Sequence, residues 1–465
     1  MSFINRPPQF FLGTALLFGV IYLLLIPPFQ FPDEGHHYFR AYHISDGHLF
    51  GEKTEDARFG GAIPESMIDF ENDFRFLRYQ YDQRTDYDSI LLYHSVSLEK
   101  EKKVFKDFPN VAYYAPFSYL PQAFTFTLGK WANASPLTLL YLTRFSAFFC
   151  WLLIVWWGLR IVPFHKWTFA AIALLPASLF LHTGMIADGI TNGLCFLQIA
   201  FILNLAFRKS EVTLRDFAFL VILSIVTTLS KVVYLPILFL LLFVPSEKFL
   251  PSFGKKKFVG VIIALNVIVL FFWYLFLGDL FIPYDNYNPE FRENVQLNPG
   301  VNPHAQLQFI LQNPIQFLSI AINSHIDYAP ASVVHCIGKF GWEKNYLPFL
   351  VIAILLLNTI LISSTEANRD VFFQNKHRWG LLGIASLIIA IFTVVIYLQW
   401  SPVGNSEIYA LGGRYYFPVI PLIFLMFKNK FFKRIRASKI WIFQIAIWSG
   451  LVVGIWSVLE RYYFF

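Results

Sequence analysis

Runs of about 20 hydrophobic residues recur along the whole chain and alternate with short polar stretches. A run of that length spans the hydrocarbon core of a bilayer as an α-helix. Because a backbone inside lipid finds no water to bond, each run must satisfy its own hydrogen bonds and is predicted to be helical. The pattern predicts eleven spans, at residues 9–27, 140–159, 167–184, 189–207, 214–229, 232–245, 258–277, 346–363, 379–399, 415–427 and 439–457.

One further stretch, residues 113–131, is long enough to cross the membrane, but two prolines interrupt it. If it crossed, the basic loops that follow it would lie on the side opposite the N-terminus. If it lies flat in the membrane interface, every strongly basic loop falls on one side. We therefore interpret it as an interfacial helix.

The charge distribution then sets the orientation. Nineteen Lys and Arg residues and five acids lie at the N-terminus and in the polar loops of one side, leaving 18 basic and 25 acidic residues elsewhere. Basic loops face the cytoplasm, so the N-terminus is predicted to be cytoplasmic and the C-terminus external. The net charge of +7 reflects this topology and does not indicate nucleic-acid binding. The basic loops are residues 160–166, 208–216, 246–257, 364–378 and 428–439.

The composition agrees with a membrane protein. The chain of 465 residues is 56% hydrophobic and 14% charged, whereas about a quarter of the residues of a soluble domain are charged. Three cysteines do not make a disulfide framework. We predict an all-α integral membrane protein with one polytopic domain over residues 1–465. Two large external segments, about 28–139 and 278–345, are expected, the first with short helices on the membrane surface.

Titratable residues cluster on the predicted external face. The stretch "FPDEGHHYFRAYH" follows the first span directly and contains Asp33, Glu34, His36, His37 and Arg40. Ionisable residues at membrane depth are costly and tend to line functional cavities. A shared outward-facing cavity is therefore predicted. Four residues from later in the chain fall on the same face, namely Asp188, Lys231, Trp342 and Arg414.

Each of these residues also has a structural interpretation. Asp33 and Glu34 suit the first turn of a helix, where acids meet the dipole, and Asp188 suits a helix N-cap. Lys231 and Arg414 could extend to the lipid headgroups, or could bind a lipid-linked phosphate, which arginine holds with two hydrogen bonds. The aromatic residues Tyr113, Tyr114 and Trp342 belong either to an interfacial belt or to a surface that stacks on a sugar or an isoprenoid.

Metal and nucleotide chemistry receive little support from the sequence. "EGHH" lacks the H-E-x-x-H spacing of a zinc hydrolase, and no phosphate-binding glycine loop occurs. "DYD" at 86–88 is interpreted as a solvated turn. A divalent cation, Mg²⁺ or Mn²⁺, held by Asp33 and Glu34 stays open, since carboxylate oxygens suit such ions.

Six ordered blocks resemble a family of uncharacterised bacterial multi-pass membrane proteins, grouped as a domain of unknown function. That family in turn is similar to the GT-C glycosyltransferases, among them the protein mannosyltransferases and the lipid A aminoarabinose transferase. The second likeness rests on architecture and on the acid after the first span. The blocks are "PPFQFPDEGHHYFRAYHISDGHL", "YYAPFSYLPQAFTFTLGKWANASPLTLLYLTRF", "ALLPASLFLHTGMIADGITNG", "LSKVVYLPILFLLLFVP", "GKFGWEKNYLP" and "GGRYYFPVIP".

The GT-C resemblance implies a hexosyl- or pentosyltransferase in the bacterial cytoplasmic membrane, with its active site on the external face. The donor would be a polyprenyl-phosphate sugar and the acceptor a cell-envelope glycan or glycolipid. By this resemblance Asp33 is the general base, with Glu34 second, and Lys231 and Arg414 hold the carrier phosphate. "GHH" departs from the Pro-x-His expected after the acids, which leaves His37 in register. The expected substrate-binding residues are His37, Arg40, Tyr113, Tyr114, Asp188, Lys231, Trp342 and Arg414.

Two alternatives come from other classes. A lipid-linked glycan transporter or flippase would use the same charges along a translocation path, but such proteins have repeated halves or broken mid-membrane helices, and the sequence has no visible repeat. A non-catalytic subunit of polysaccharide assembly would not need the two acids. Membrane lipid is an expected partner in every case, and the sequence does not specify an oligomeric state.

Overall fold

The computed structural model describes residues 6–249, 254–278, 280, 282–295, 297–342, 344–366, 374–427 and 440–464. Glu343, which follows Trp342 on the predicted external face, lies outside these described residues, as do the basic residues of 367–373 and 428–439. The helices are α1 Pro7–Leu25, α2 Glu34–Ser45, α3 Glu65–Phe74, α4 Tyr87–Leu91, α5 Pro109–Ala112, α6 Leu120–Trp131, α7 Pro136–Ile161, α8 Lys166–Ala173, α9 Pro176–Thr183, α10 Ala187–Phe207, α11 Leu214–Ser230, α12 Gly254–Leu277, α13 Pro303–Gln312, α14 Pro314–Gly338, α15 Phe349–Thr365, α16 Asn375–Trp400, α17 Ile420–Phe424 and α18 Ile440–Tyr462; the strands are β1 Glu52–Lys53, β2 Phe59–Pro64 and β3 Lys103–Asp107.

Six helices of the described chain are long and apolar enough to cross a membrane, namely α1, α7, α10, α12, α16 and α18. They coincide with six of the predicted spans and confirm a helical membrane protein. Most of them contribute to one large hydrophobic core together with α8 and α9. By contrast, only 17% of the most apolar 18-residue stretch of α12 is buried, so this helix presents most of its surface outward.

The other five predicted spans are shorter or interrupted, so the count of eleven stays a prediction. The predicted span 167–184 is divided into α8 and α9, because Pro176 holds the preceding Leu175 in an extended conformation. Two more correspond to α11 and α15, each 17 residues long. Residues Val232–Phe243 form a 3₁₀ helix that contains Pro236. The last, 415–427, consists of short turns around α17.

Segment 28–139 has its own hydrophobic core and a feature that the sequence analysis missed. Strands β1, β2 and β3 form an antiparallel sheet in that order, whereas only short helices were predicted here. The close approach of β2 to β3 requires a glycine, since a Cβ on Gly60 would lie 1.9 Å from the carbonyl oxygen of Lys106. The all-helical expectation therefore holds for the membrane part and is corrected for this segment.

Helix α6 carries the proline-interrupted stretch that we interpreted as interfacial. At 12 residues it is about 18 Å long, too short for a hydrocarbon core of about 30 Å. Its exposed apolar side chains follow one face, as expected for a helix at an interface. They are Leu120, Phe124, Leu128 and Trp131, which are 53%, 65%, 44% and 77% exposed.

Helix α14, 25 residues long, lies within the segment that was predicted to be an external loop. Ile315, Leu318, Ile322 and Ile326 are half or more exposed and recur at intervals of three and four residues. This spacing makes one apolar stripe. Polar residues interrupt the hydropathy of the helix, which explains why a search for continuous runs did not predict it.

A buried ion pair joins α7 to the junction between α1 and α2. Glu34 and Arg144 are both fully buried, and Arg144 Nε and Nη2 donate to the two carboxylate oxygens at 2.8 and 2.6 Å. The guanidinium also donates to the carbonyl oxygens of Ile26 and Pro27 at 2.7 and 2.9 Å. The amide of Met185 donates to Glu34 Oε1 at 3.0 Å. Each of the five bonds fixes the end of α1 or the start of α2.

We expect Glu34→Ala to lower the free energy of unfolding by about 3–5 kcal/mol, because the substitution leaves Arg144 charged and buried without its partner. Denaturant-induced unfolding of the purified protein in mixed lipid micelles measures this change. Lys102→Ala is the matched control, since it breaks an ion pair with Glu65 in which the lysine side chain is 65% exposed. That loss should be much smaller, because water screens an exposed ion pair. Equal losses in the two variants would contradict the structural role of Glu34.

Candidate functional site

Asp33 is the residue immediately before α2 and has a φ of 62°, in the left-handed region. Aspartate is one of the few non-glycine residues that adopt this conformation. An aspartate at this position usually caps the helix, yet within the described chain its side chain makes no capping hydrogen bond. It accepts instead from Arg414 Nη2, at 2.6 Å from Oδ2. The helix-start interpretation of Asp33 therefore does not account for its carboxylate.

Four charged side chains from distant parts of the chain form one cluster around this contact. Arg414 Nε lies 3.7 Å from Asp188 Oδ2, and Lys231 donates to Asp188 Oδ1. Asp188 lies in the first turn of α10, and Lys231 is the residue that follows α11. The charges of the two acids and the two cations cancel, so the cluster has no net charge. The sequence analysis predicted that these four residues share a cavity, and the structure brings them into direct contact.

The turn that carries Arg414 packs closely on α14. A Cβ added to Gly413 would lie 2.4 Å from His335 Cβ and 3.0 Å from the carbonyl oxygen of Ser332, so only glycine permits this approach. Next to it, Tyr415 Oη accepts from Arg414 Nη2 at 2.9 Å. Lys231 Nζ lies 4.5 Å from the centre of the same ring. Tyr415 thus holds both cations of the cluster.

The Arg414 guanidinium has a buried donor that is unused. Arg414 Nη1 is buried and has no partner among the described residues. A buried, charged donor without an acceptor is costly, and its presence in a cavity indicates a place for an anionic or polar ligand.

Two cavities meet at the Asp33–Arg414 contact. The smaller has a volume of about 130 Å³ and is lined by His37, Tyr113, Tyr114, Asp188, Lys231 and the α12 residues Trp273 and Tyr274. The larger has a volume of about 610 Å³ and is lined by Tyr79, Tyr328, His335, Lys339 and Trp342. The residues common to both are Asp33, Trp400, Arg414 and Tyr415.

The charges around Asp33 control its ionisation. Burial by itself would raise the pKa of Asp33, because the carboxylate loses water. The charge and hydrogen bond of Arg414, with a contribution from His37, outweigh burial and lower the pKa below its ordinary value. Asp33 is therefore ionised at neutral pH, and it is a weak base for as long as Arg414 is bound to it.

His36 and His37 occupy different places on α2. His37 lines the smaller cavity, and its Nδ1 lies 2.7 Å from Tyr119 Oη. His36 lines neither cavity and bonds to Asn110 Oδ1, 2.5 Å from its Nδ1. Burial lowers the pKa of both imidazoles to about 4. Both are neutral at pH 7.

The structure separates the remaining candidates into two groups. Tyr113 and Tyr114 line the smaller cavity, and Trp342 lines the larger one. Glu34 and Arg40 line neither. Glu34 binds Arg144, as described above, and Arg40 donates to the carbonyl oxygens of residues 48, 49 and 114. These two predicted site residues therefore have a structural role: they hold α2 and the Tyr114 backbone in place.

Sequence reasoning missed Arg144, Trp273 and Trp400. A charge inside the predicted span 140–159 was a signal for Arg144, since such a residue needs a buried partner. The two tryptophans lie in or at the end of predicted spans, where aromatic residues are common, so no signal separated them from their neighbours.

Both carboxylate oxygens of Glu34 are bound by Arg144, and Arg414 binds Oδ2 of Asp33. A divalent cation at these two acids stays a prediction. In the described chain one group, His43, His48 and Glu52, brings possible ligand atoms together. Arg40 Nη1 lies 3.2 Å from His43 Nδ1. As arginine only donates, Nδ1 must accept, so Nε2 carries the proton and donates to Glu52 at 3.0 Å. In this arrangement Nε2 has no lone pair to offer a metal.

Apolar helices that enclose paired charges and two cavities define a helical integral membrane protein with a polar internal site. The chain belongs to the family described as predicted membrane protein (DUF2142), whose model matches residues 16–423. This confirms the family resemblance, and the match includes the four charged residues of the cluster. No curated protein and no solved structure matches the chain.

The low pKa of His36 and His37 predicts acid sensitivity. An unfolded histidine takes up its proton near pH 6.5, while the folded ones do so only near 4. Between these values the unfolded state binds more protons, so stability should fall as the pH drops from about 6.5 to about 4. Melting temperatures in lipid nanodiscs across this range measure the effect. The fall in melting temperature should be smaller in the double variant His36→Gln/His37→Gln. The exposed control, His94→Gln, should lose as much as the wild type. A double variant that also loses as much as the wild type would refute the prediction.

Proposed function

We propose that the protein is a GT-C-type membrane glycosyltransferase. It transfers a hexose or pentose from a polyprenyl-phosphate carrier to a cell-envelope glycan or glycolipid. In this proposal the chain crosses the bacterial cytoplasmic membrane eleven times, with the N-terminus in the cytoplasm and the charged cluster on the external side.

The observation that carries the proposal is the unused Nη1 of Arg414 beside Lys231. Two cations that line the smaller cavity, one with a free buried donor, suit a phosphate group. Arginine can bind phosphate through two parallel hydrogen bonds, and lysine supplies a second point charge. Asp188 touches both cations and so keeps them together before a ligand arrives.

The smaller cavity also suits the lipid part of such a donor. Leu270, Trp273, Tyr274 and Leu277 of α12 line it. Their neighbours Phe271, Phe272, Leu275 and Phe276 are all more than half exposed. Because α12 has one face towards the cavity and another outward, an isoprenoid chain could lie along this helix while its phosphate reaches Lys231 and Arg414.

The proposed reaction is a single displacement at the anomeric carbon. The acceptor hydroxyl oxygen forms a bond to this carbon, its proton passes to the Asp33 carboxylate, and the bond from the carbon to the phosphate oxygen breaks. The electron pair leaves with the phosphate, which gains a negative charge. Lys231 and Arg414 stabilise that growing charge, and the displacement inverts the anomeric centre.

Donor binding also makes Asp33 a stronger base. In the absence of a donor, Arg414 lowers the pKa of Asp33. A phosphate that competes for the guanidinium weakens this interaction, and the pKa of the carboxyl then rises towards its ordinary value. We assign the base role to Asp33 and not to Glu34, because Glu34 lines neither cavity and its oxygens are held by Arg144 and Met185.

Replacement of Asp33 tests the base. Asp33→Asn keeps the side-chain shape and tolerates the left-handed backbone, so the protein should fold, and the turnover rate should fall by about 10²–10⁴-fold. The assay offers undecaprenyl-phosphate-linked hexose or pentose and cell-envelope glycans to the protein in nanodiscs. Asp46→Asn, at the other end of α2 and paired with Lys103 and Lys130, is the control that should keep wild-type turnover. Unchanged turnover in Asp33→Asn would remove the mechanism.

Replacement of Arg414 tests the phosphate site. Arg414→Lys keeps the charge but loses the paired hydrogen bonds, so the Kd for undecaprenyl phosphate should rise about tenfold or more. Lys231→Gln should raise it as well, while Arg84→Gln, outside both cavities, should not. Direct binding to protein in nanodiscs measures each value. Equal affinity in all four proteins would contradict the phosphate site. Movement of the intact donor across sealed vesicles without sugar transfer would favour the transporter instead.

A further inference from the structure

The larger cavity is separate from the proposed donor site but reaches the same carboxylate. It has a volume of about 610 Å³, against about 130 Å³ for the smaller one, and the two share the wall formed by Asp33, Trp400, Arg414 and Tyr415. If the donor phosphate lies between Lys231 and Arg414, the leaving group departs on the side of the smaller cavity. A nucleophile in a direct displacement must then approach from the other side, which is the larger cavity.

Aromatic rings form the part of this larger cavity that lies outside the helices of the core. Tyr79 and Trp342 both line it, with ring centres 5.8 Å apart and an angle of 55° between the rings. Tyr79 is 59% exposed, and Trp342 is partly exposed. Sugar rings present C–H groups that pack on the electron-rich face of an aromatic ring, which is the physical basis of sugar stacking.

The Trp342 ring is held in place before any ligand binds. The Arg78 guanidinium lies over it, 5.2 Å from the ring centre. Arg78 is itself paired with Glu71, which is fully buried and also binds Arg75. An aromatic surface that is already ordered loses little entropy on binding. Glu71, Arg78 and Trp342 thus form a rigid support within segment 28–139 and the loop that follows α14.

Polar groups complete the cavity. Asn298, His335 and Lys339 line it together with Tyr328. Such a combination of aromatic surface and a few polar side chains is typical of sites that bind a polar ring and fix its orientation. The rest of the lining is apolar and includes Phe180, Leu181, Leu411 and Phe417.

We infer that the larger cavity is the acceptor site and that it binds a glycan by stacking one of its sugar rings on Trp342. This inference rests on the proposed function for the identity of the smaller cavity. The recognition itself does not require turnover, so it can be tested independently. The glycan can be free or attached to a lipid, since both present the same sugar chemistry to Trp342.

The test measures glycan binding by the full-length Asp33→Asn protein in nanodiscs, where transfer does not consume the ligand. The probes are maltotriose, chitotriose and a rhamnose trisaccharide as free glycans, and lipopolysaccharide as the lipid-linked form. We expect saturable binding of at least one probe and a rise in its Kd of about tenfold or more with Trp342→Ala. Trp342→Phe, which keeps an aromatic face, should recover most of the affinity and also guards against misfolding.

Trp273→Ala, in the wall of the smaller cavity, is the matched control. It should leave glycan binding unchanged and weaken the binding of undecaprenyl phosphate, while Trp342→Ala should do the reverse. The inference is overturned if no probe binds, if Trp342→Ala binds as tightly as its parent, or if it is Trp342→Ala that weakens undecaprenyl phosphate. A failure of the proposed function would appear elsewhere, as unchanged transfer by Asp33→Asn.

Discussion

The buried ion pair between Glu34 and Arg144 is the interaction on which the site depends. Taking two charges out of water is expensive, and the cost is offset only when every donor and acceptor is satisfied. Here the guanidinium binds both carboxylate oxygens and two carbonyl groups at the end of α1, and the Met185 amide completes the carboxylate. The contacts of Glu34 hold the first residue of α2 in place. The residue before it, Asp33, then takes a left-handed backbone that aims its carboxylate at Arg414.

The membrane part of the fold was predictable where a hydrophobic run is continuous. Helices α1, α10 and α16 follow runs in which no proline intervenes, and length alone identifies them. Run-based reasoning failed at Pro176, whose effect on the preceding residue divides a run into two helices. It also failed at α14, in which apolar residues recur with helical periodicity but are separated by polar ones. The sheet could not be predicted from the sequence, since β2 and β3 pair across about forty residues of chain and short strands carry little signal of their own.

Four of the predicted site residues meet in one cluster, but the arrangement of the site could not be predicted from the sequence. Orientation alone placed Asp33, Asp188, Lys231 and Arg414 on one face, because the basic loops had already defined the other. Asp33 and Glu34 could not be told apart from sequence, as two adjacent acids offer the same chemistry. Their different roles come from partners more than a hundred residues away, Arg144 for one and Arg414 for the other. Arg40 resembled a ligand-binding cation but serves loop carbonyls, a distinction that only the folded chain makes.

The position of Arg414 between two cavities has a consequence for selectivity against water. In the proposed reaction, an acid that was always free would activate any solvent molecule and hydrolyse the donor. While the guanidinium covers the carboxylate, water meets a neutralised group. A ligand that draws the guanidinium into the smaller cavity uncovers the acid towards the larger one. If a ligand in the smaller cavity changes the affinity of the larger one, thermodynamic reciprocity requires that a ligand in the larger cavity change the affinity of the smaller one by the same factor. In the proposed reaction, such coupling would reduce the loss of activated sugars to hydrolysis.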